Sequence, residues 1–97
     1  DADLESLSVG TETLAPASFD PDVTTYAIAA AANASDKIEA TTAQASAEVE
    51  ISYNGKNVRN GGTVTWLADD TAHPLTITVK KGNAVKVYTV NVTKASD

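Results

Sequence analysis

The stretch Leu75-Thr76-Ile77-Thr78-Val79-Lys80-Lys81-Gly82-Asn83-Ala84-Val85-Lys86-Val87-Tyr88-Thr89-Val90-Asn91-Val92-Thr93 decides the fold. Leu75, Ile77 and Val79 alternate with Thr76, Thr78 and Lys80, and Tyr88, Val90 and Val92 alternate with Thr89, Asn91 and Thr93. Successive side chains of a strand point to opposite faces, so each triplet gathers large apolar groups on one face and polar groups on the other. Lys81-Gly82-Asn83 supplies the turn that joins the two strands as a hairpin. Val85 and Val87 interrupt this order, since they fall on the face opposite Val90 and Val92. Either a bulge turns them inward, or they form a small exposed apolar patch suited to contact with a neighbouring domain.

The same period recurs upstream. Val49, Ile51 and Tyr53 alternate with Glu48, Glu50 and Ser52, and Asn54-Gly55 follows at once with the positive-φ preference of a tight hairpin turn. Weaker strands are expected over Leu4–Val9, Thr24–Ala30, Asp36–Thr42 and Thr63–Leu67, with Asn60-Gly61-Gly62 marking a further turn. Pro16 and Pro21 bracket Phe19 in an irregular, edge-like stretch where Phe19 can plug one end of the core. Alanine is common over 27–33 and 40–47, and alanine favours helix. A helix at 29–34 would have no large apolar stripe to bury, so these alanines read as closely packed or exposed strand positions, with a short helical turn as the alternative. About seven short strands separated by turns imply an all-β, immunoglobulin-like antiparallel β-sandwich.

Ninety-seven residues fit one domain, 1–97, with its core over about 4–94. Polar ends (DADLES, KASD) and the lack of any methionine suggest a unit excised from a larger protein. No apolar run approaches the length of a membrane span, so membrane insertion is not expected. The net charge of −6 would repel a phosphate backbone, which argues against a nucleic-acid partner. Lys80, Lys81, Lys86 and Lys94 gather late in the sequence, as solvated strand faces with edge protection or as a site for an anionic partner. Cysteine is absent, so neither a disulfide framework nor a thiolate zinc site is available.

Leu4-x-x-Leu7-Ser8-Val9, then Leu14-Ala15-Pro16-x-x-Phe19-Asp20-Pro21, then Tyr26-x-Ile28 resembles the opening of the bacterial cadherin-like β-sandwich domain family. Ile38, Ala40, Val49-x-Ile51-x-Tyr53-Asn54-Gly55, Leu67 and the closing hairpin extend the resemblance over nearly the whole sequence. These are packing and turn positions, so the resemblance speaks to fold and hardly to chemistry. The segment Ala68–Pro74 departs from the family, which usually has a glycine shortly after the leucine equivalent to Leu67.

No catalytic residue and no cofactor are assigned. His73 is the sole histidine, and Ser-His-Asp chemistry would need it beside a nucleophile and an oxyanion donor. Asp20, Asp22, Asp69 and Asp70 are the candidate calcium ligands, though nothing has the spacing of an EF-hand loop and turn aspartates are the ordinary explanation, so no metal site is assigned. Asn33-Ala34-Ser35 and Asn91-Val92-Thr93 match the glycosylation pattern and are read as coincidence, because the resemblance implies bacteria or their phages. The candidate surface contacts are Trp66, Val85 and Val87. Val64 and Trp66 share one strand face and Leu67 takes the other. If Leu67 faces the core, as in the family, Trp66 is free to stack on a sugar or anchor a protein. If Trp66 faces the core, it is packing.

The resemblance implies a non-enzymatic structural, spacer or weak adhesion module of a bacterial extracellular or cell-surface protein. Its partners would be neighbouring domains of the same polypeptide and cell-surface glycans or proteins. An immunoglobulin-like decorating domain on a phage virion and a carbohydrate-binding module using Trp66 are the alternatives.

Overall fold

The computed structural model describes residues 2–96. Eight strands are formed: β1 (Leu4–Val9), β2 (Thr25–Ile28), β3 (Ser35–Thr42), β4 (Glu48–Tyr53), β5 (Lys56–Val58), β6 (Thr63–Thr65), β7 (Ala72–Lys81) and β8 (Ala84–Thr93). They make two sheets, one ordered β1-β3-β6 and the other β2-β8-β7-β4-β5. The three strands with clear alternation form the centre of the larger sheet. β7 pairs antiparallel with β8 from Lys81↔Ala84 to Ala72↔Thr93, and with β4 from Glu48↔Lys80 to Tyr53↔Leu75.

The core lies between the sheets. Leu75, Ile77, Val79, Tyr88 and Val90 are wholly buried from one side, and Leu4 and Ile38 from the other. Each of these residues stabilises the fold by about 1.5–3 kcal/mol as its side chain leaves water. Phe19 does cover one end: it stacks on Tyr26 with centroids 5.4 Å apart and tilts against Tyr88 at 5.7 Å.

Three features differ from the sequence reading. β5 is an eighth strand: at Asn54-Gly55 both residues have positive φ (50° and 86°), the two-residue turn that returns the backbone along β4. Lys56-Asn57-Val58 has no apolar alternation to mark it. Secondly, the sandwich is not wholly antiparallel, because β2 runs parallel to β8 from Thr25↔Thr89 to Ile28↔Val92. The long connection from Gly10 to Thr24 passes from the smaller sheet to the larger and delivers β2 in the direction of β8. Thirdly, β2 and β6 end sooner than expected, at Ile28 and Thr65. No helical turn forms at 29–34, where Ala31 is buried and its N–H donates to Thr93 O.

Candidate functional site

The places where the polypeptide enters and leaves the sandwich organise its surface. The entering segment is held at one pole: Ala43 N–H donates to Asp3 O, Leu4 N–H to the Tyr88 hydroxyl at 3.1 Å, and Lys86 Nζ reaches Asp3 Oδ1 at 2.7 Å. The departing segment is held where β8 ends and β7 begins. Asp70 N–H donates to Lys94 O, Ser96 donates from N–H and hydroxyl to the two Asp70 carboxylate oxygens, and Lys94 Nζ reaches Ala31 O. The run of β8 and its extension from Tyr88 to Lys94 separates these places by about 20 Å at the rise of a strand. The molecule is 44 Å along its longest axis and 25 Å and 18 Å across.

The entry pole is stapled by tyrosine hydroxyls. Tyr88 donates to Pro21 O at 2.7 Å while accepting from Leu4. Tyr26 donates to Asp20 O at 2.7 Å and accepts from Asp20 N–H at 2.8 Å. Lys86 turns inward, donating to Pro21 O as well as Asp3, and the Asp3 carboxylate pushes its pKa up. Lys80 pairs with Glu50 at 3.6 Å and Lys81 contacts Ser46, while Lys94 is spent on Ala31. The late lysines are therefore engaged within the domain and do not form one continuous positive stripe.

The exit pole is pinned by carboxylates. Among the described residues Asp36 is the buried polar one, 6% exposed, and it lies on the inward face of β3 with Ile38 and Ala40. Its oxygens accept from Trp66 Nε1 and Asn33 Nδ2, each at 2.9 Å. Glu12 accepts from the N–H groups of Ala32 and Asn33. Burial presses the Asp36 carboxyl upward, but hydrogen bonds with Trp66, Glu12, Asn33 and the Thr11 backbone outweigh it and hold its pKa below the ordinary value. Gly10 closes this cluster: its φ is +53°, and a Cβ there would overlap the Asp36 carboxylate.

Trp66 must be corrected as a candidate surface contact. It is 4% exposed, packs edge-on against Tyr53 at 5.2 Å and spends its N–H on Asp36. Leu67, which the family pattern turns inward, is instead 42% exposed. Leu67 lines a cleft of about 170 Å³ with Tyr53, Asn54, Lys56 and Thr65. That is below the roughly 300–1,000 Å³ of small-molecule pockets. Val85 and Val87 are 59% and 45% exposed, and the unbroken β7–β8 register excludes the bulge that would have turned them inward. They stand opposite Lys80 and Thr78.

The remaining candidate groups are placed as follows. His73 Nε2 lies 2.8 Å from Asp69 Oδ2 and 3.0 Å from Thr71 Oγ1, and Thr71 already donates to Asp69. Acid and hydroxyl share one ring nitrogen, whereas a catalytic relay needs the acid on one nitrogen and the nucleophile on the other. Hydrogen bonds from His73 and Thr71 lower the Asp69 pKa, and those from Ser96 lower that of Asp70. The four candidate calcium ligands are split between the poles: Asp20 Oδ1 accepts from Asp22 N–H near entry, and Asp69 and Asp70 lie near exit. Among the described residues no three His, Asp or Glu side chains gather to hold an ion.

Residues 4–95 match the family described as the cadherin-like beta sandwich domain. No curated protein matches the sequence.

Proposed function

Because this chain belongs to the cadherin-like beta-sandwich domain family, we propose that it serves as a non-enzymatic spacer or weak adhesion module in an extracellular or cell-surface protein of bacterial type. Domains of this family are generally non-catalytic and usually extracellular. No helix among the described residues is long and apolar enough to cross a membrane. The observation that carries the spacer reading is the tethering of entry and exit about 20 Å apart along β8, in a body 44 Å long. A unit with that arrangement extends a series, since each copy adds length along its own axis. The exposed valines on the outer face of β8 are the surface offered to neighbouring domains. The carbohydrate-binding alternative loses its stacking residue, because Trp66 is buried.

Small-angle scattering from two copies joined in tandem tests the reading. A maximum dimension approaching twice the single-domain length supports it, and a compact side-by-side pair overturns it.

A further inference from the structure

Two Asn-Gly pairs occur in the sequence, Asn54-Gly55 and Asn60-Gly61. Glycine after asparagine leaves the backbone nitrogen unhindered, so both pairs are chemically open to attack of that nitrogen on the asparagine side chain. The fold treats them differently. Asn60 Oδ1 accepts from Ala40 N–H at 3.0 Å, its Nδ2 donates to Ala40 O at 2.9 Å, and Gly61 N–H donates to Ile38 O at 2.7 Å. Electrophile and attacking nitrogen are thus both held against β3. Asn54 is exposed at the tip of the β4–β5 hairpin, and its side-chain amide has no hydrogen-bond partner among the described residues. A Cβ on Gly55 or on Gly61 would meet nothing within 4 Å, so hydrogen bonding and not crowding separates the two sites. β5 is three residues long and at the sheet edge, where local opening costs least.

We propose that Asn54 is a site of spontaneous deamidation built into the exit pole, and that Asn60 is protected by its bonds to Ala40. The Gly55 nitrogen bonds to Asn54 Cγ, the bond from Cγ to Nδ2 breaks, and ammonia leaves carrying the proton from Gly55. Water then opens the five-membered imide at either carbonyl, giving aspartate or isoaspartate. The net change is amide plus water to carboxylate plus ammonium, with no oxidation or reduction. The product places a new carboxylate beside Lys56 in the cleft that Asn54 shares with Tyr53 and Leu67. Isoaspartate adds a methylene to the backbone and lengthens a turn that has only two residues to span β4 and β5.

The test is incubation of the intact protein at mildly alkaline pH for days, with peptide mapping by mass spectrometry, beside the same protein in concentrated urea. In the folded protein Asn54 should gain the one-dalton shift about tenfold or more faster than Asn60, because roughly three hydrogen bonds must break at Asn60. In urea the two rates should converge. Equal or faster modification of Asn60 in the folded protein overturns the proposal. So does an Asn54 that stays intact while the urea control modifies both sites.

Discussion

The two poles hold the polypeptide by different chemistry. At the entry pole the staples are tyrosine hydroxyls under Phe19, with one lysine–aspartate contact between Lys86 and Asp3. At the exit pole they are mainly carboxylates, with Asp36 buried, Glu12 part-buried and Asp69 and Asp70 outside, beside the Tyr53 hydroxyl that accepts from Leu67 N–H. Hydroxyls keep one protonation state through the acid range, whereas carboxylates take up a proton in it. The two ends of one small sandwich should therefore fail under different conditions, although both pin loops to the same core.

The largest expected effect separates burial from bonding. Tyr88→Ala removes a wholly buried ring from beneath Leu4 and Pro21 and should cost about 3–5 kcal/mol. Tyr88→Phe keeps the ring and leaves Leu4 N–H and Pro21 O without the hydroxyl, for a loss of about 1–3 kcal/mol. Chemical denaturation of both variants measures the difference, and a Tyr88→Phe protein as stable as the parent would remove the hydroxyl from the explanation.

Asp36→Ala is the corresponding break at the exit pole. It strips Trp66 Nε1 and Asn33 Nδ2 of their acceptor, and a loss of about 2–3 kcal/mol is expected. Trp66 is the sole tryptophan and lies in this cluster, so its fluorescence reports the exit pole alone. A variant with unchanged stability and unchanged emission would show that the buried carboxylate does not hold Trp66.

The smaller effects come from pH and have opposite signs at the two ends. The Asp36 pKa is lowered, so its contribution is present above the ordinary value of 3.8 and lost as pH falls through the folded pKa. Trp66 emission should shift in that acid window before the tyrosine staples yield. The Lys86 pKa is raised, so its contribution is present below 10.5 and lost as pH rises through the folded pKa. Asp3→Asn should weaken that contact by about 1 kcal/mol or less, and the loss should shrink with added salt. A Trp66 signal insensitive to acid, or an Asp3→Asn loss independent of salt, would erase the contrast between the poles.

Much of the fold was legible because three strands alternate with period two, and alternation is a local property. β5 was hidden because Lys56-Asn57-Val58 carries no such pattern, although a two-residue turn at Asn54-Gly55 requires a return strand. The parallel pairing of β2 depends on where a long connection delivers the backbone, which no local window contains. The exit-pole cluster joins residues 10, 12, 33, 36 and 66, too far apart in sequence to read as a motif. One signal did point to it. Asp36 shares strand parity with Ile38 and Ala40, so a strand over 36–42 must turn a carboxylate inward, and such a group needs donors. Trp66 shares parity with Val64, and the buried Val64 carries it inward, which the family pattern at Leu67 does not reveal.

The spacer reading rests on the polypeptide entering and leaving at opposite poles. With no native cysteine, Glu5→Cys with Ala95→Cys gives a specific pair of sites for spin labels. Leu4 lies against Tyr88 and the exit lies several residues further on, so a label separation of about 20 Å or more is expected at the rise of a strand. A narrow distribution at or beyond that distance supports the spacer. Labels found close together would put both ends on one pole and contradict it.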